Sequence, residues 1–200
     1  MTGHTAGVTK ALEEFVGVHP DLASKIAVLD ARLSELGSVV VAFSGGADSA
    51  FLAAAAQRAL GTKGTHCVTA VSPSLAGDEA EDCRLLAQEL GLRWTPVVTH
   101  EMERAAYRLN DIDRCFHCKA ELMDVVTPIA GIAEATVVLG VNVDDLGDHR
   151  PGQQAAKQAG AQFPLVDAGF TKADVRSASQ YLGLRTWDKP AAACLASRIP

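Results

Sequence analysis

The stretch Ser38-Val-Val-Val-Ala-Phe43, followed at once by Ser44-Gly45-Gly46-Ala47-Asp48-Ser49, decides the fold. A continuous β-branched run fits a strand buried on both faces, as in the middle of a parallel sheet. The two glycines predict a tight turn, and the alanine-rich segment from about Asp48 to Leu60 predicts a helix. A strand, a glycine turn and a helix head in that order make an anion site. The glycines let backbone N–H groups approach a ligand, and the helix N-terminus supplies unpaired donors and a partial positive charge. Ser44 and Ser49 add hydroxyl donors, and Asp48 can cap the helix or hold a cation against phosphate oxygens. No Gly-Lys-Ser/Thr follows and no lysine lies in the loop, which excludes the Walker type. The Gly-x-Gly-x-x-Gly fingerprint of dinucleotide sites is absent too.

On the N-terminal side, Leu22, Ile26, Leu29, Leu33 and Leu36 trace one face of a helix from Asp21, stopped by Gly37. On the C-terminal side the strand–helix cycle repeats. Strands are predicted at Thr65–Val71, Arg93–Thr99 and Thr136–Val141, and helices at Asp78–Leu90 and Glu101–Leu109, with a further helix before Thr136. A last helix runs from about Thr171, with Asp174 completing an approximate capping box, to Leu182. Alternating strands and helices predict a three-layer α/β/α fold with a mostly parallel sheet. In such sheets ligands bind beyond the carboxyl ends of the strands, so the loops after Phe43, Val71 and Val141 are the places to search.

Composition narrows the function. Apolar residues make up 48% of the 200, and charged residues 21%, which supplies a packed core and excludes a disordered chain. There are 18 Lys plus Arg against 24 Asp plus Glu, a net charge of −6, the wrong sign for a protein that grips nucleic acid. The longest wholly apolar stretch, Ala50 to Ala56, is too short to span a bilayer, and no signal peptide is visible at Met1. Five cysteines without a secretion signal read as cytoplasmic thiols, available for chemistry or metal.

Ser-Gly-Gly-x-Asp-Ser after a strand resembles the pyrophosphate loop (PP-loop) of the ATP pyrophosphatases, the adenine nucleotide alpha hydrolase-like superfamily of NAD and GMP synthetases and tRNA thiolases. That resemblance implies cleavage of ATP between the α and β phosphates, with a substrate oxygen activated as an adenylate. Three further stretches narrow it: Asp113-Arg-Cys-Phe-His-Cys-Lys119, Leu139-Gly-Val-Asn-Val-Asp-Asp-Leu-Gly-Asp-His-Arg-Pro-Gly152 and Lys189-Pro-Ala-Ala-Ala-Cys-Leu-Ala-Ser-Arg198. With Phe163-Pro-Leu165 and Thr171-Lys-Ala-Asp-Val-Arg176, they are similar to the LarE family of ATP-dependent sulfurtransferases. The likeness covers nearly the whole chain beyond Asp21.

For this family the resemblance implies adenylation of a carboxylate of pyridinium-3,5-biscarboxylic acid mononucleotide. Sulfur delivery then gives a thiocarboxylate, a step toward the nickel-pincer nucleotide of lactate racemase. It implies ATP and Mg²⁺ as cofactors, a small-molecule nucleotide substrate, and no nucleic acid or membrane partner. Ser44, Gly45, Gly46, Asp48 and Ser49 would hold the nucleotide; Ser72, at the end of the second strand, is added on position alone. Asp144 and Asp145, with Asp148, belong to the Gly-x-Asn-x-Asp-Asp pattern after a buried strand and are expected at nucleotide, Mg²⁺ or substrate. Ser197 and Arg198 are expected at the substrate.

Cys194 is the expected sulfur-handling residue, with Lys189 and Arg198 beside it to lower its pKa. Family members either sacrifice one cysteine's sulfur or hold a four-iron four-sulfur cluster on three cysteines that carries an extra sulfide. Cys115 and Cys118, on one side of a helical turn, together with Cys194 favour the [4Fe-4S] kind. A structural Zn²⁺ site including His117, a redox dithiol, or no metal at all are the alternatives. Cys67 and Cys83 are expected to pack, and His100, His149, Trp94 and Trp187 carry no signal beyond packing or surface use.

The expected organisation is an N-terminal helical segment over 1–37 and a PP-loop domain with a Cys-x-x-Cys insertion over 38–200. A C-terminal substrate-binding and oligomerising region is expected to follow residue 200, so a homo-oligomer is expected at full length. A tRNA thiolase, a non-catalytic adenine-nucleotide module and an NAD synthetase are the rival readings. Net charge argues against the first, and the Cys194 segment has no role in amide formation.

Overall fold

The computed structural model describes residues 20–72, 77–100, 114–147 and 151–190. Strand β1 (Val39–Ala42) lies between β2 (Thr65–Val71) and β4 (Thr136–Leu139), with β3 (Trp94–Val98) outside β2, all parallel in the order β3-β2-β1-β4. Val39 stands opposite Thr65 on one side and Thr136 on the other. A single bridge from Gln162 to Val138 covers part of the outer edge of β4.

Helices α1 (Pro20–Leu36), α2 (Ala47–Gly64) and α3 (Gly77–Glu89) join α7 (Lys172–Tyr181) on one face of this sheet. Helix α4 (Arg114–Ile132) and α5 (Pro151–Gln158) cover the other. The strand period of two sorts the side chains between the faces. Val39, Val41 and Phe43 pack with Leu29, Leu33, Leu52 and Leu86, while Val40 packs with Met123, Val126 and Val137. The expected three-layer α/β/α architecture is therefore the one adopted. Alanines 50, 53, 55 and 56 are fully buried, and their small side chains let α2 lie close on the sheet. Phe51 meets Phe170 at 5.2 Å between ring centroids.

The chain runs from β1 outward to β2 and β3, then returns to place β4 on the opposite side of β1. Connections therefore leave the carboxyl ends of β1 and β4 in opposite directions, opening a crevice between them. The loop Ser44–Ser49 sits at that switch point.

Several elements differ from expectation. Helix α2 continues to Gly64, with its regular turn interrupted at Gly61 (φ 68°, ψ −179°). The 3-10 turn Val143–Leu146, the eight-residue α5 and the four-residue α6 (Pro164–Asp167) were not anticipated, being too short for a helical period to register. The helix expected at Glu101–Leu109 lies outside the described residues. Helix α1 packs Leu22, Ile26, Leu29 and Leu33 into the same core as α2.

Candidate nucleotide site

The loop between β1 and α2 closes on itself. Ser49, almost fully buried, donates its hydroxyl to the Gly46 carbonyl at 3.1 Å and accepts the Ser44 N–H at 3.2 Å. The two serine hydroxyls lie 3.1 Å apart. Gly45 has φ +67°, the left-handed region that favours glycine, and a Cβ there would stand 2.8 Å from the Cys83 Sγ. Gly46 is the N-cap of α2 and makes no side-chain cap hydrogen bond, so no capping side chain competes for the amides at the helix head. Those amides and the helix dipole suit a phosphate.

Asp48 does not cap the helix, contrary to one sequence expectation. In the first turn of α2 it reaches across the crevice instead. One carboxylate oxygen accepts Lys172 Nζ, and the other accepts Asn142 Nδ2 at 3.2 Å. Asn142 is buried at the end of the β4 segment and caps the 3-10 turn. Its side-chain oxygen accepts the Asp144 N–H at 3.0 Å, and its own N–H donates to Asp145 at 3.2 Å. Asp144 in turn accepts the Lys172 N–H at 2.8 Å. This arrangement needs Gly140, since a Cβ there would fall 2.7 Å from Ser49 N and 2.8 Å from Asp48 C, both backbone atoms.

Lys172 opens α7 behind a full capping box, in which Thr171 and Asp174 satisfy each other's N–H groups. Asp174 also accepts Lys25 Nζ at 2.5 Å. Burial would raise the Asp174 pKa, but the Lys25 and Thr171 hydrogen bonds outweigh it and hold the carboxyl below its usual value.

The other flank of the loop is held by a second lysine. Lys189 Nζ donates to the Gly45 carbonyl at 3.1 Å and to Asp82 at 2.7 Å. Asp82 also pairs with Arg185 at 2.7 Å, and Arg185 with Glu89 at 2.8 Å. Burial pushes the Asp82 pKa up, yet Lys189 and Arg185 together bring it below the ordinary range. The Lys189 ammonium is thus engaged by Asp82 and the loop, while Cys194, on which it was expected to act, lies outside the described residues.

Cys67 and Cys83 are buried in the core. Burial pushes the Cys67 thiol up to about 12 and raises that of Cys83, so neither is poised as a nucleophile. Trp94 Nε1 donates to Thr69 Oγ1 at 2.8 Å, and the backbone N–H of His100 donates to Glu121 at 3.1 Å. Ser72 follows β2 at the same sheet end as Ser44, half-buried. Asp144 and Asp145 lie in the 3-10 turn beside Asn142. Cys115 and Cys118 fall three residues apart in the first turns of α4, where Cys118 is half-buried and outside any disulfide. Cys194, Ser197, Arg198 and Asp148, together with the Cys115 side chain, lie outside the described residues. Sequence reasoning assigned no role to Lys172 or Asn142, although both stood in motifs it quoted.

Asp48 offers hard carboxylate oxygen at the mouth of an anion site, and Mg²⁺ is commonly bound by one or two carboxylates plus substrate phosphates. Two thiols at i, i+3 on a helix are soft donors suited to iron–sulfur or zinc. Among the described residues no cluster of three His, Cys, Asp or Glu forms a metal site. A groove of about 520 Å³ lined by Arg32, Leu146, Gln153, Lys157 and Phe163 lies past the β4 edge and does not include the loop.

The family model for NAD synthase matches residues 24–120, from α1 through the loop into α4. An uncharacterised protein of Synechocystis sp. is 44% identical over 180 residues, covering 90% of this chain and 67% of that protein. The pyridinium-3,5-bisthiocarboxylic acid mononucleotide synthase of Lactiplantibacillus plantarum is 35% identical over 180 residues, 90% of this chain and 65% of that one. The chain belongs to the LarE family. It spans about two thirds of the length of these two relatives. In fold it is similar to NMN synthetase from Francisella tularensis (TM-score 0.70, 17% identity, 86% of this chain and 74% of that one). It is also similar to NH3-dependent NAD synthetase from Campylobacter jejuni (TM-score 0.66, 17% identity, 84% and 74%). At that identity the likeness establishes the architecture alone. Among the described residues no helix is long and apolar enough to cross a membrane.

Proposed function

We propose that the protein is an ATP-dependent sulfurtransferase that converts a carboxylate of pyridinium-3,5-biscarboxylic acid mononucleotide to a thiocarboxylate, in nickel-pincer cofactor synthesis. The observation that carries this reading is the PP-loop at the switch point, with Asp48 held toward its mouth by Asn142 and Lys172. The substrate is inferred from the Lactiplantibacillus plantarum relative.

In the first step a carboxylate oxygen of the substrate attacks the α-phosphorus of ATP. The bond from that phosphorus to the bridging β oxygen breaks, and pyrophosphate leaves with its electron pair. The head of α2 with Ser44, Gly45, Gly46 and Ser49 binds the pyrophosphate, Asp48 would hold Mg²⁺, and Lys172 supplies positive charge to the phosphates. Asp144 and Asp145 work through Asn142 and Lys172, fixing both from the far wall. Ser72 lines the adenosine side, and Ser197 and Arg198 hold substrate.

In the second step a sulfur nucleophile attacks the acyl carbon, the carbon–oxygen bond to AMP breaks, and AMP leaves. Cys115, Cys118 and Cys194 would hold a [4Fe-4S] cluster, which would supply transferable sulfide as that nucleophile, with Cys194 as the residue on which transfer depends. The protein works in the cytoplasm on a small-molecule nucleotide, with no nucleic acid partner, and assembles as a homo-oligomer.

Replacing Cys194 with Ala should abolish sulfur transfer while pyrophosphate release persists. Undiminished transfer by Cys194→Ala would overturn the assignment. Substituting Cys115 or Cys118 should remove iron from anaerobically purified protein. Stoichiometric zinc without iron or sulfide in a competent preparation contradicts the cluster.

A further inference from the structure

Asp48 is the side chain of the loop suited to Mg²⁺, yet both its oxygens are engaged within the protein. Asn142 Nδ2 donates to one at 3.2 Å and Lys172 Nζ to the other. The two engagements differ in character. Asn142 is buried and fixed by its own capping bonds to Asp144 and Asp145. The Lys172 ammonium stands at the end of a flexible four-carbon stem, with the side chain 32% exposed and that of Asp48 19% exposed. The backbone of Lys172 is pinned by Asp144 and by the capping box at Thr171, so the ammonium moves about a fixed root. A metal ion and an ammonium cannot occupy the same carboxylate oxygen, and their charges repel.

We propose that Lys172 is an internal stand-in for the metal. In the nucleotide-free protein its ammonium sits on the Asp48 oxygen that Mg²⁺ takes. The ATP phosphates draw the ammonium away and vacate that oxygen, so metal enters with the nucleotide and not before it. The same lysine thereby supplies positive charge in both states: to Asp48 without ATP, and beside Mg²⁺ to the phosphates with it. This rests on the reading of Asp48 as the Mg²⁺ ligand.

The test titrates Mn²⁺ into the full chain without nucleotide and reads free Mn²⁺ by electron paramagnetic resonance. The wild type should bind weakly. Lys172→Met and Lys172→Gln should each bind about five- to tenfold tighter, from loss of a partly exposed ion pair and a neighbouring positive charge. Lys172→Arg, which keeps the charge, should stay weak, and adding Asp48→Asn to Lys172→Met should erase the gain. With ATP present the order reverses, and Lys172→Met should bind Mn²⁺–ATP more weakly than the wild type. Equal Mn²⁺ affinity in the wild type and both neutral variants, with Asp48→Asn still weakening Mn²⁺–ATP, overturns the exchange and leaves Asp48 as a ligand. If Asp48→Asn does not weaken Mn²⁺–ATP, the ligand assignment fails and the exchange with it. Neither result bears on the sulfur chemistry, which Cys194→Ala tests separately.

Discussion

The PP-loop is gripped from two flanks, and each grip uses a lysine from far along the chain. On the β4 side Lys172 meets the side chain of Asp48. On the α3 side Lys189 meets the backbone carbonyl of Gly45 and the carboxylate of Asp82, which Arg185 also engages. A carboxylate in the loop itself can change partners when a metal arrives. A carbonyl and a carboxylate already shared with an arginine offer nothing to exchange. On the proposed reading the contrast separates a working flank from a holding flank: chemistry is assigned to Asp48 and Lys172, and loop shape to Cys83, Asp82 and Lys189.

The largest expected effect therefore falls on the working flank. Asp48→Asn should lower pyrophosphate release by on the order of 10²-fold through loss of electrostatic stabilisation. A variant with near-normal turnover would erase the distinction between the flanks. Next comes Gly140→Ala, whose Cβ would meet the Ser49 and Asp48 backbone at 2.7 and 2.8 Å. Since backbone must move, the cost should be about 1–3 kcal/mol in urea unfolding, with weakened ATP binding. An unchanged urea midpoint would show that the crevice wall is soft.

Lys189→Met, on the holding flank, should weaken ATP by less than about fivefold in a binding titration, the scale of a partly exposed ion pair. A loss as large as that of Asp48→Asn would move Lys189 into the chemistry. The smallest effect is on pH dependence. The Asp82 carboxyl titrates below its unfolded value in the folded protein, so the unfolded chain binds more protons between the two pKa values. Its contribution is fully present above the unfolded pKa of about 3.9 and is lost as pH falls through the lower folded value. Asp82→Asn should flatten the acid limb of stability against pH, measured by unfolding between about pH 2 and 5. An identical limb in the variant would mean that the pair adds nothing.

What sequence could reveal was what is contiguous. The strand Val39–Ala42, the loop Ser44–Ser49 and the capping box Thr171–Asp174 are each encoded within a few residues, and each forms as read. The misreadings share one cause. Asp48 looked like a cap because its nearest sequence neighbours offered it amides; its actual partners, Asn142 and Lys172, lie 94 and 124 residues away. Lys189, read beside nearby Cys194, was not read as a partner of Gly45, which it bonds from 144 residues away. Only the placement of β4 beside β1 and the return of the chain over α3 create these contacts. The loop contains no lysine in sequence, yet two lysines among the described residues reach it in the fold.

On the proposed reading this site splits ATP at the α-phosphorus in order to activate a carboxylate for sulfur. The most direct measurement supplies the protein with ATP, Mg²⁺, a sulfide source and pyridinium-3,5-biscarboxylic acid mononucleotide under anaerobic conditions, and follows all phosphorus and thiocarboxylate products together. AMP and pyrophosphate should appear in step with the thiocarboxylate, and only when the carboxylate substrate is present. ADP with inorganic phosphate, or AMP formed at the same rate without that substrate, would contradict the account.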